Sequence, residues 1–251
     1  MQPRGIAYWQ RLSDIINREP VMERDRMFMA MIAPLGIEKG KPFSPDQRQT
    51  KLLEQGAEMG ELMAQAIGFR SRLAGVRYRP QTHWESIINF DPVTQEAKYF
   101  TQLDERTNYF YQAVTTSKGM VTKTPGVGQA YLAETQDGAG NWFDGGKTYR
   151  LHVPANPPAQ QFWSLTLYDA LTREFITNPQ NRPDRSSRND IDRNADGSVD
   201  LYMGPNAPAG HENNWIPTVS GKSWFAYFRL YAPTRAYFDR TFALPDIEEY
   251  Q

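Results

Sequence analysis

Residues 224–231 have the sequence WFAYFRLY, which is the clearest strand pattern in the chain. Every second residue from Trp224 to Leu230 is apolar, and alternate side chains of a strand point to opposite faces. The same period of two recurs at 149–153 and 163–168. Asp-Gly, Gly-Gly and Ser-Gly pairs, typical of turns, lie between these segments, whereas no helix-length apolar stripe does. The pattern therefore predicts an antiparallel sheet closed into a β-sandwich or jelly roll.

The first third of the chain follows helical spacing instead. Apolar side chains recur three and four residues apart within residues 8–16, 27–32 and 52–67. We therefore expect an α+β protein, with an N-terminal helical region followed by the antiparallel β-sandwich or jelly roll. A helical arm and linker with a short extended segment would occupy residues 1–118, and a β jelly-roll domain would occupy residues 119–251.

Composition excludes several classes of function. The 28 Lys and Arg residues nearly balance the 29 Asp and Glu residues, which argues against a nucleic-acid partner. The chain has no cysteine, so disulfides, thiolate nucleophiles and Cys-ligated metals are excluded. No apolar stretch approaches 18 residues, and the first residues lack the apolar core of a signal peptide. We expect a soluble protein without a membrane span, and its compartment stays open.

One segment is similar to a calcium-binding loop. Oxygen-bearing side chains follow one another at Asp192, Asn194, Asp196 and Asp200, as in loops that bind this ion. The position that should hold a bidentate Glu is Met203, so a polar hairpin with an Asp-Gly turn is the alternative interpretation. Calcium is the metal that the residue inventory supports best, and the sequence otherwise predicts no cofactor.

Four side chains are candidate acid–base groups. Asp169 and Glu174 flank the end of a predicted strand, His152 lies on the polar face of another, and His211 lies in a Gly- and Asn-rich loop. Paired carboxylates or an imidazole could transfer protons in a hydrolase or lyase. A solvated turn and two surface histidines are the alternative.

Four short motifs in the second half together resemble the bacterial domain of unknown function numbered 1214. They are FWSLTLYD at 162–169, NADGS at 194–198, NWIP at 214–217 and RLYAP at 229–233. The stretch LGIEKGKPF at 35–43 resembles the region that precedes this domain in longer members, which begin with a domain numbered 1254. The resemblance implies a β jelly-roll type fold with linking helices and no established reaction. Many members of the family are exported.

With respect to these longer members, we expect the chain to be either a fragment or a short member whose partner surface is filled otherwise. In both cases we expect an apolar patch that a second copy or a missing N-terminal partner domain would cover. A homo-oligomer is therefore one expected state of the protein.

The chain is rich in aromatic residues, with 13 Phe, 13 Tyr and 6 Trp, and several of them fall in these motifs. Such side chains could stack on a ligand or fill the core, and Trp163 and Trp215 are large enough to anchor the core of a sandwich. Asn214 could bind backbone groups at the turn that leads to Pro217. The residues predicted to contact a ligand are Trp163, Tyr168, Asn214, Trp215, Arg229 and Tyr231. Arg229 lies in an apolar strand and needs a partner, for which Asp169 and Glu174 are candidates.

We therefore predict a small-molecule-binding jelly-roll domain for an amphipathic or carbohydrate-like ligand. Two alternatives stay open. One is a hydrolase or lyase that uses the carboxylate and histidine groups in a cleft of the sheet. The other is a structural or assembly module that acts through the helical region.

Overall fold

The computed structural model describes three stretches of the chain, residues 3–88, 94–112 and 124–250. The protein forms two compact units, Met1–Ala66 and Ile67–Gln251. The boundary predicted between residues 118 and 119 lies outside the described residues. The described residues that follow Ala66 and precede this boundary belong to the second unit, because they pack on its sheets. Within the described stretches, no helix is both long enough and apolar enough to cross a membrane.

The first unit is helical, as its spacing predicts. Its helices are α1 (Ile6–Arg18), α2 (Arg26–Ile32) and α3 (Gln47–Phe69), the last of which runs on into the second unit. Short 3-10 turns, Glu23–Asp25 and Ala33–Leu35, flank α2. The Trp9 indole N–H donates to the carbonyl of Leu53 at 2.6 Å and thereby joins α1 to α3.

The second unit contains two sheets and two further helices. The helices are α4 (Leu103–Gln112) and α5 (Arg235–Phe238). The strands are β1 (Glu85–Ser86), β2 (Gln129–Glu134), β3 (Tyr149–Val153), β4 (Ala159–Asp169), β5 (Asp184–Ser186), β6 (Val199–Gly204), β7 (Trp215–Pro217), β8 (Trp224–Pro233) and β9 (Glu248–Glu249). One sheet has the order β1-β2-β8-β4-β5 and the other β7-β6-β3-β9. The strands pair antiparallel except β6 and β7, which run parallel.

Side chains from both sheets share one buried apolar cluster. Leu165 and Phe228 enter it from the larger sheet, and Leu151 and Leu201 enter it from the smaller one; all four have no solvent exposure. Trp163 also lies in this cluster, as predicted for a core anchor, with 4% of its surface exposed. The mixed α+β class is thus confirmed, whereas the finer jelly-roll assignment stays a prediction.

The larger sheet is buried on its other face as well. Phe225 and Tyr227 of β8 pack there with Tyr168 of β4, Phe69 at the end of α3 and Tyr109 of α4. A sheet covered on both faces needs large side chains on both. This explains why the 224–231 stretch carries aromatic residues at consecutive positions rather than only at alternate ones.

Candidate functional site

A cleft of about 740 Å³ opens at the start of β4. The register between β4 and β8 shifts between Ala159 and Phe162, so an extra residue is inserted there. Such a bulge turns the side chains of a strand in new directions. At this irregularity Gln161, Phe162 and Trp163 all line the cleft.

Aromatic rings form one part of the cleft wall. Trp163 stacks on Phe228, with ring centroids 5.5 Å apart and an interplanar angle of 22°. Phe162 stacks on Tyr231 at 3.8 Å and 12°, and the Arg188 guanidinium lies 3.9 Å from the Phe162 ring centre. Only Phe162 and Trp163 of these rings line the cleft. Because their neighbours hold them in place, they offer a preformed apolar surface.

The remaining wall is largely polar. Its side chains include those of Gln161, Ser187, Arg193, Asp196, Thr234 and Thr241. Hydrogen bonds from the hydroxyl and the backbone N–H of Ser198 lower the pKa of Asp196, which therefore stays ionised. Arg193 is exposed, and no carboxylate of the described residues forms an ion pair with it. The cleft thus combines apolar rings with hydroxyl, amide and charged groups.

The structure separates the residues that were predicted to bind a ligand. Trp163 lines the cleft, whereas Tyr231 does not line it but stacks on Phe162, which does. Tyr168 and Arg229 lie away from it, on the outer face of the larger sheet, where an Arg229 N–H donates to the Tyr168 hydroxyl.

The prediction that a carboxylate pairs with Arg229 is wrong. No carboxylate of the described residues forms an ion pair with this guanidinium, which lies 5.6 Å from the ring centres of both Tyr131 and Tyr168. Asp169 instead lies 3.7 Å from the Lys222 ammonium, and its Oδ1 accepts the N–H groups of a turn. Aromatic faces take the place of the carboxylate, because they too are attracted to a cation.

Asn214 and Trp215 have structural contacts. The Asn214 side chain is buried and bonds three backbone groups, which agrees with its predicted role in binding the backbone. The Trp215 N–H donates to the carbonyl of Gly204 at 2.8 Å. Trp215 is only half-buried, so the expectation that it anchors the core is not met. Neither residue lines the cleft.

The segment similar to a calcium loop forms a hairpin turn. The N–H of Asn194 donates to the carbonyl of Ser198 at 2.9 Å, and Gly197 supplies the left-handed backbone that the turn requires, with φ +84°. Asp200 accepts the Asn194 amide at 2.9 Å and lies 2.8 Å from Nδ1 of His152. Asp192 is tied through its backbone to Asn214. The calcium prediction itself stays a prediction.

The four predicted acid–base groups occupy different places. Asp169 and Glu174 belong to one turn, in which the Asp169 N–H donates to the Glu174 carbonyl at 2.9 Å. His152 pairs with Asp200 on the smaller sheet, and the His211 ring stacks on Tyr202 at 4.4 Å. Among the described residues, neither histidine contacts either of the two carboxylates.

One cluster of titratable groups had no sequence signal. The donor atoms of His83, Glu134 and Asp246 all lie within 4.8 Å of one another. His83 precedes β1, Glu134 ends β2, and Asp246 precedes β9, so these residues are far apart in sequence. The antiparallel pairing of β1 with β2 brings the first two together. The C-terminal segment then adds Asp246, which accepts the backbone N–H of His83 at 2.7 Å.

Glu134 is the most unusual member of this cluster. It has no solvent exposure, and its Oε2 accepts the N–H of Ile247 at 3.1 Å. Its Oε1 accepts no hydrogen bond from the described residues. Burial, then the neighbouring charge of Asp246 and a hydrogen bond shared with its carboxyl group, raise the pKa of Glu134 well above its usual range.

The first unit exposes several large apolar side chains. More than half of the surface is exposed in Met27, Met31, Met59, Leu62 and Met63. These residues agree with an apolar surface in the helical region, whereas the homo-oligomer and the N-terminal partner domain stay predictions.

A comparison of the chain with models of protein families identifies the family that the sheet region resembles. Residues 128–235 match the model of the family described as "Protein of unknown function (DUF1214)". The match confirms the resemblance to this family that the sequence motifs predicted. It contains β2 to β8, and therefore Trp163 and Glu134, whereas His83 and Asp246 lie outside it. The preceding domain numbered 1254 stays a prediction.

Two solved structures are similar to this chain along nearly its whole length. The VPA0106 protein from Vibrio parahaemolyticus is 19% identical with a TM-score of 0.49, and the match covers 97% of this chain and 56% of that one. An uncharacterized protein from Burkholderia cenocepacia is 13% identical with a TM-score of 0.34, and covers 95% and 52%. The chain thus spans little more than half the length of either protein. The comparison with curated proteins found no match.

Proposed function

We propose that the second unit binds a small amphipathic or carbohydrate-like molecule in the cleft beside Trp163. The observation that supports this function is the combination of stacked aromatic rings with polar walls in one cavity of about 740 Å³. Small-molecule sites usually measure roughly 300–1,000 Å³ and pair an apolar surface with a few placed polar groups. The DUF1214 region supplies most of the lining residues.

The chemistry of the walls favours a ligand with several hydroxyl groups. The Gln161 amide both donates and accepts, and the hydroxyls of Ser187 and Thr241 do the same. Arg193 and the ionised Asp196 add one cation and one anion at an exposed edge. An apolar face of the ligand would rest on Phe162 while its hydroxyls pair with these groups.

Intrinsic tryptophan fluorescence tests this function, because Trp163 lines the cleft. The full chain is titrated with a mono- and disaccharide panel and with an alkyl glycoside that adds an apolar tail. We expect one of these classes to shift the emission and to raise the melting temperature. The shift should be smaller in Trp163→Phe, because that variant loses the reporting ring at the site.

Variants of the polar wall make the test specific. Gln161 and Arg193 are exposed, so Gln161→Ala and Arg193→Ala should fold normally and bind at least several-fold more weakly. Arg18→Ala is the matched control, because Arg18 is exposed as well and belongs to the first unit. If no ligand class changes the fluorescence or the melting temperature, or if both cleft variants bind like the control, the proposed function is wrong.

A further inference from the structure

We propose that His83, Glu134 and Asp246 together bind one divalent transition-metal ion of the Zn²⁺ or Mn²⁺ class. This site is separate from the proposed ligand cleft, since none of the three residues lines that cleft. The proposal therefore concerns a second binding activity of the same unit.

The geometry suits a single ion. Nδ1 of His83 lies 2.8 Å from Oδ2 of Asp246, and a Glu134 oxygen completes a set of donors within 4.8 Å of one another. Bonds from Zn²⁺ to imidazole nitrogen and carboxylate oxygen are about 2.0–2.2 Å long, so two donors of one ion stand about 3 to 3.5 Å apart. Small rotations of these side chains therefore bring all three donors to one centre.

Glu134 supplies the independent reason to expect a cation. Its side chain is wholly buried, and one of its carboxylate oxygens lies within 4.8 Å of the donor atoms of His83 and Asp246. Its Oε1 accepts no hydrogen bond from an N–H or hydroxyl group of the described residues. No lysine or arginine of the described residues forms an ion pair with it. A buried carboxylate is costly unless a counter-charge lies beside it. A divalent ion bound between Glu134 and Asp246 would supply that charge.

The ligand set selects the class of metal. One imidazole and two carboxylates form a mixed nitrogen and oxygen set, which suits Zn²⁺, Mn²⁺ or Fe²⁺. Mg²⁺ and Ca²⁺ prefer ligand sets made of oxygen alone. Three protein ligands leave a coordination position for water, as in catalytic rather than structural zinc sites.

The surroundings of the donors orient two of them. The backbone N–H of His83 donates to Oδ1 of Asp246, and the backbone N–H of Ile247 donates to Oε2 of Glu134. Backbone groups therefore hold both carboxylates in place. Side-chain exposures of 25% for His83 and 12% for Asp246 leave a route from solvent.

Metal titration of the full chain, stripped with EDTA beforehand, tests the proposal. Calorimetry and thermal melting are recorded with ZnCl₂, MnCl₂ and MgCl₂. We expect about one equivalent of Zn²⁺ to bind and to raise the melting temperature, whereas Mg²⁺ at the same concentration has little effect. Glu134→Gln and His83→Asn should each weaken Zn²⁺ binding at least tenfold.

Two features of the variants make the result decisive. Glu134→Gln keeps the shape of the side chain and removes the buried acid, so it should melt at or above the temperature of the metal-free wild type. His152→Gln is the matched control, because His152 forms an equivalent 2.8 Å pair with Asp200 but belongs to no cluster of three metal-ligating groups among the described residues. Its affinity for Zn²⁺ should equal that of the wild type.

The proposal is overturned if the wild type binds neither Zn²⁺ nor Mn²⁺. It is also overturned if His83→Asn and Glu134→Gln both retain wild-type affinity, or if His152→Gln abolishes binding. In those cases the cluster is a carboxyl pair in which a protonated Glu134 shares its proton with Asp246. Should Glu134→Gln fail to fold, His83→Asn alone decides, because its backbone N–H to Asp246 is kept.

Discussion

Replacing Asn214 with alanine should destabilise the second unit strongly. Asn214 is 3% exposed and ends the 3-10 turn Glu212–Asn214. Its Oδ1 accepts the N–H of Asp192, and its Nδ2 donates to the carbonyls of Asp192 and Asp200, each at 2.8 Å. Alanine removes all three bonds and leaves their backbone partners without this side chain.

The size of the effect follows from these contacts. A hydrogen bond of this kind contributes about 1 kcal/mol net, so three of them give about 3 kcal/mol. For a unit of roughly 150–250 residues, 1 kcal/mol lowers the melting temperature by about 2–4 °C. We therefore expect Asn214→Ala to lower the melting temperature by about 6–12 °C.

Differential scanning calorimetry measures this change. Asn213→Ala is the matched control, because Asn213 is exposed and makes one 3.4 Å contact with the Asp192 carboxylate. The control should stay within about 0.5 kcal/mol of the wild type. If Asn214→Ala melts at the same temperature as Asn213→Ala, the three bonds do not hold the loop and the reasoning is refuted.

Four further predictions follow from the surroundings of individual residues. Arg185 is 8% exposed, and its Nε has no hydrogen-bond partner among the described residues. Burial, and to a smaller extent the charge of Arg182, lower the pKa of Arg185 to about 10. Arg185→Met should therefore stabilise the unit by about 1 kcal/mol, and a lower midpoint in urea denaturation would contradict this. A Cβ at Gly145 would lie 2.2 Å from a backbone oxygen, so Gly145→Ala should cost more than about 2 kcal/mol by thermal melting. Gly60→Ala, which meets nothing within 4 Å in α3, should instead stabilise its helix by up to about 1 kcal/mol. Burial raises the pKa of Asp200, but the opposing effect of hydrogen bonds from Asn194 and His152 is larger, so the net shift is downward. This shift stabilises the folded state above about pH 4, and the stabilisation is lost as the pH falls through the pKa of the folded state. In acid titration, His152→Gln should therefore lose less stability than the wild type.

Local patterns were enough to predict much of the fold. The alternation around Trp224 and Trp163 predicted β8 and β4, because strand periodicity depends only on neighbouring residues. The helical spacing around Leu53 predicted α3 for the same reason. The partner of Arg229 was not predictable in this way, since it depends on which ring lies beside the guanidinium across the sheet. Tyr168 fills that place, although it lies four residues along β4 from Ser164, the residue that pairs with Arg229.

The cleft and the His83 cluster depend on distant pairings, and sequence patterns carry little of that information. Trp163 was expected to contact a ligand from its aromatic character alone, whereas Gln161 was not, because only the bulge at the start of β4 brings it to the cleft. Glu134 follows the apolar residues of β2 and has no motif around it. Its burial arises because the C-terminal segment covers the end of that strand through the Ile247 N–H.

The C-terminal segment of the second unit contributes to both proposed sites. Thr241 and Phe242 line the cleft, and Asp246 belongs to the His83 cluster. The segment is fixed between them because the Trp84 indole N–H donates to the Pro245 carbonyl at 2.8 Å. The DUF1214 match ends at residue 235, before Thr241, Phe242 and Asp246. A fragment cut to the matched residues would therefore lose part of the cleft wall and two of the three proposed metal donors. Both proposed activities thus require the flanking residues as well as the matched region.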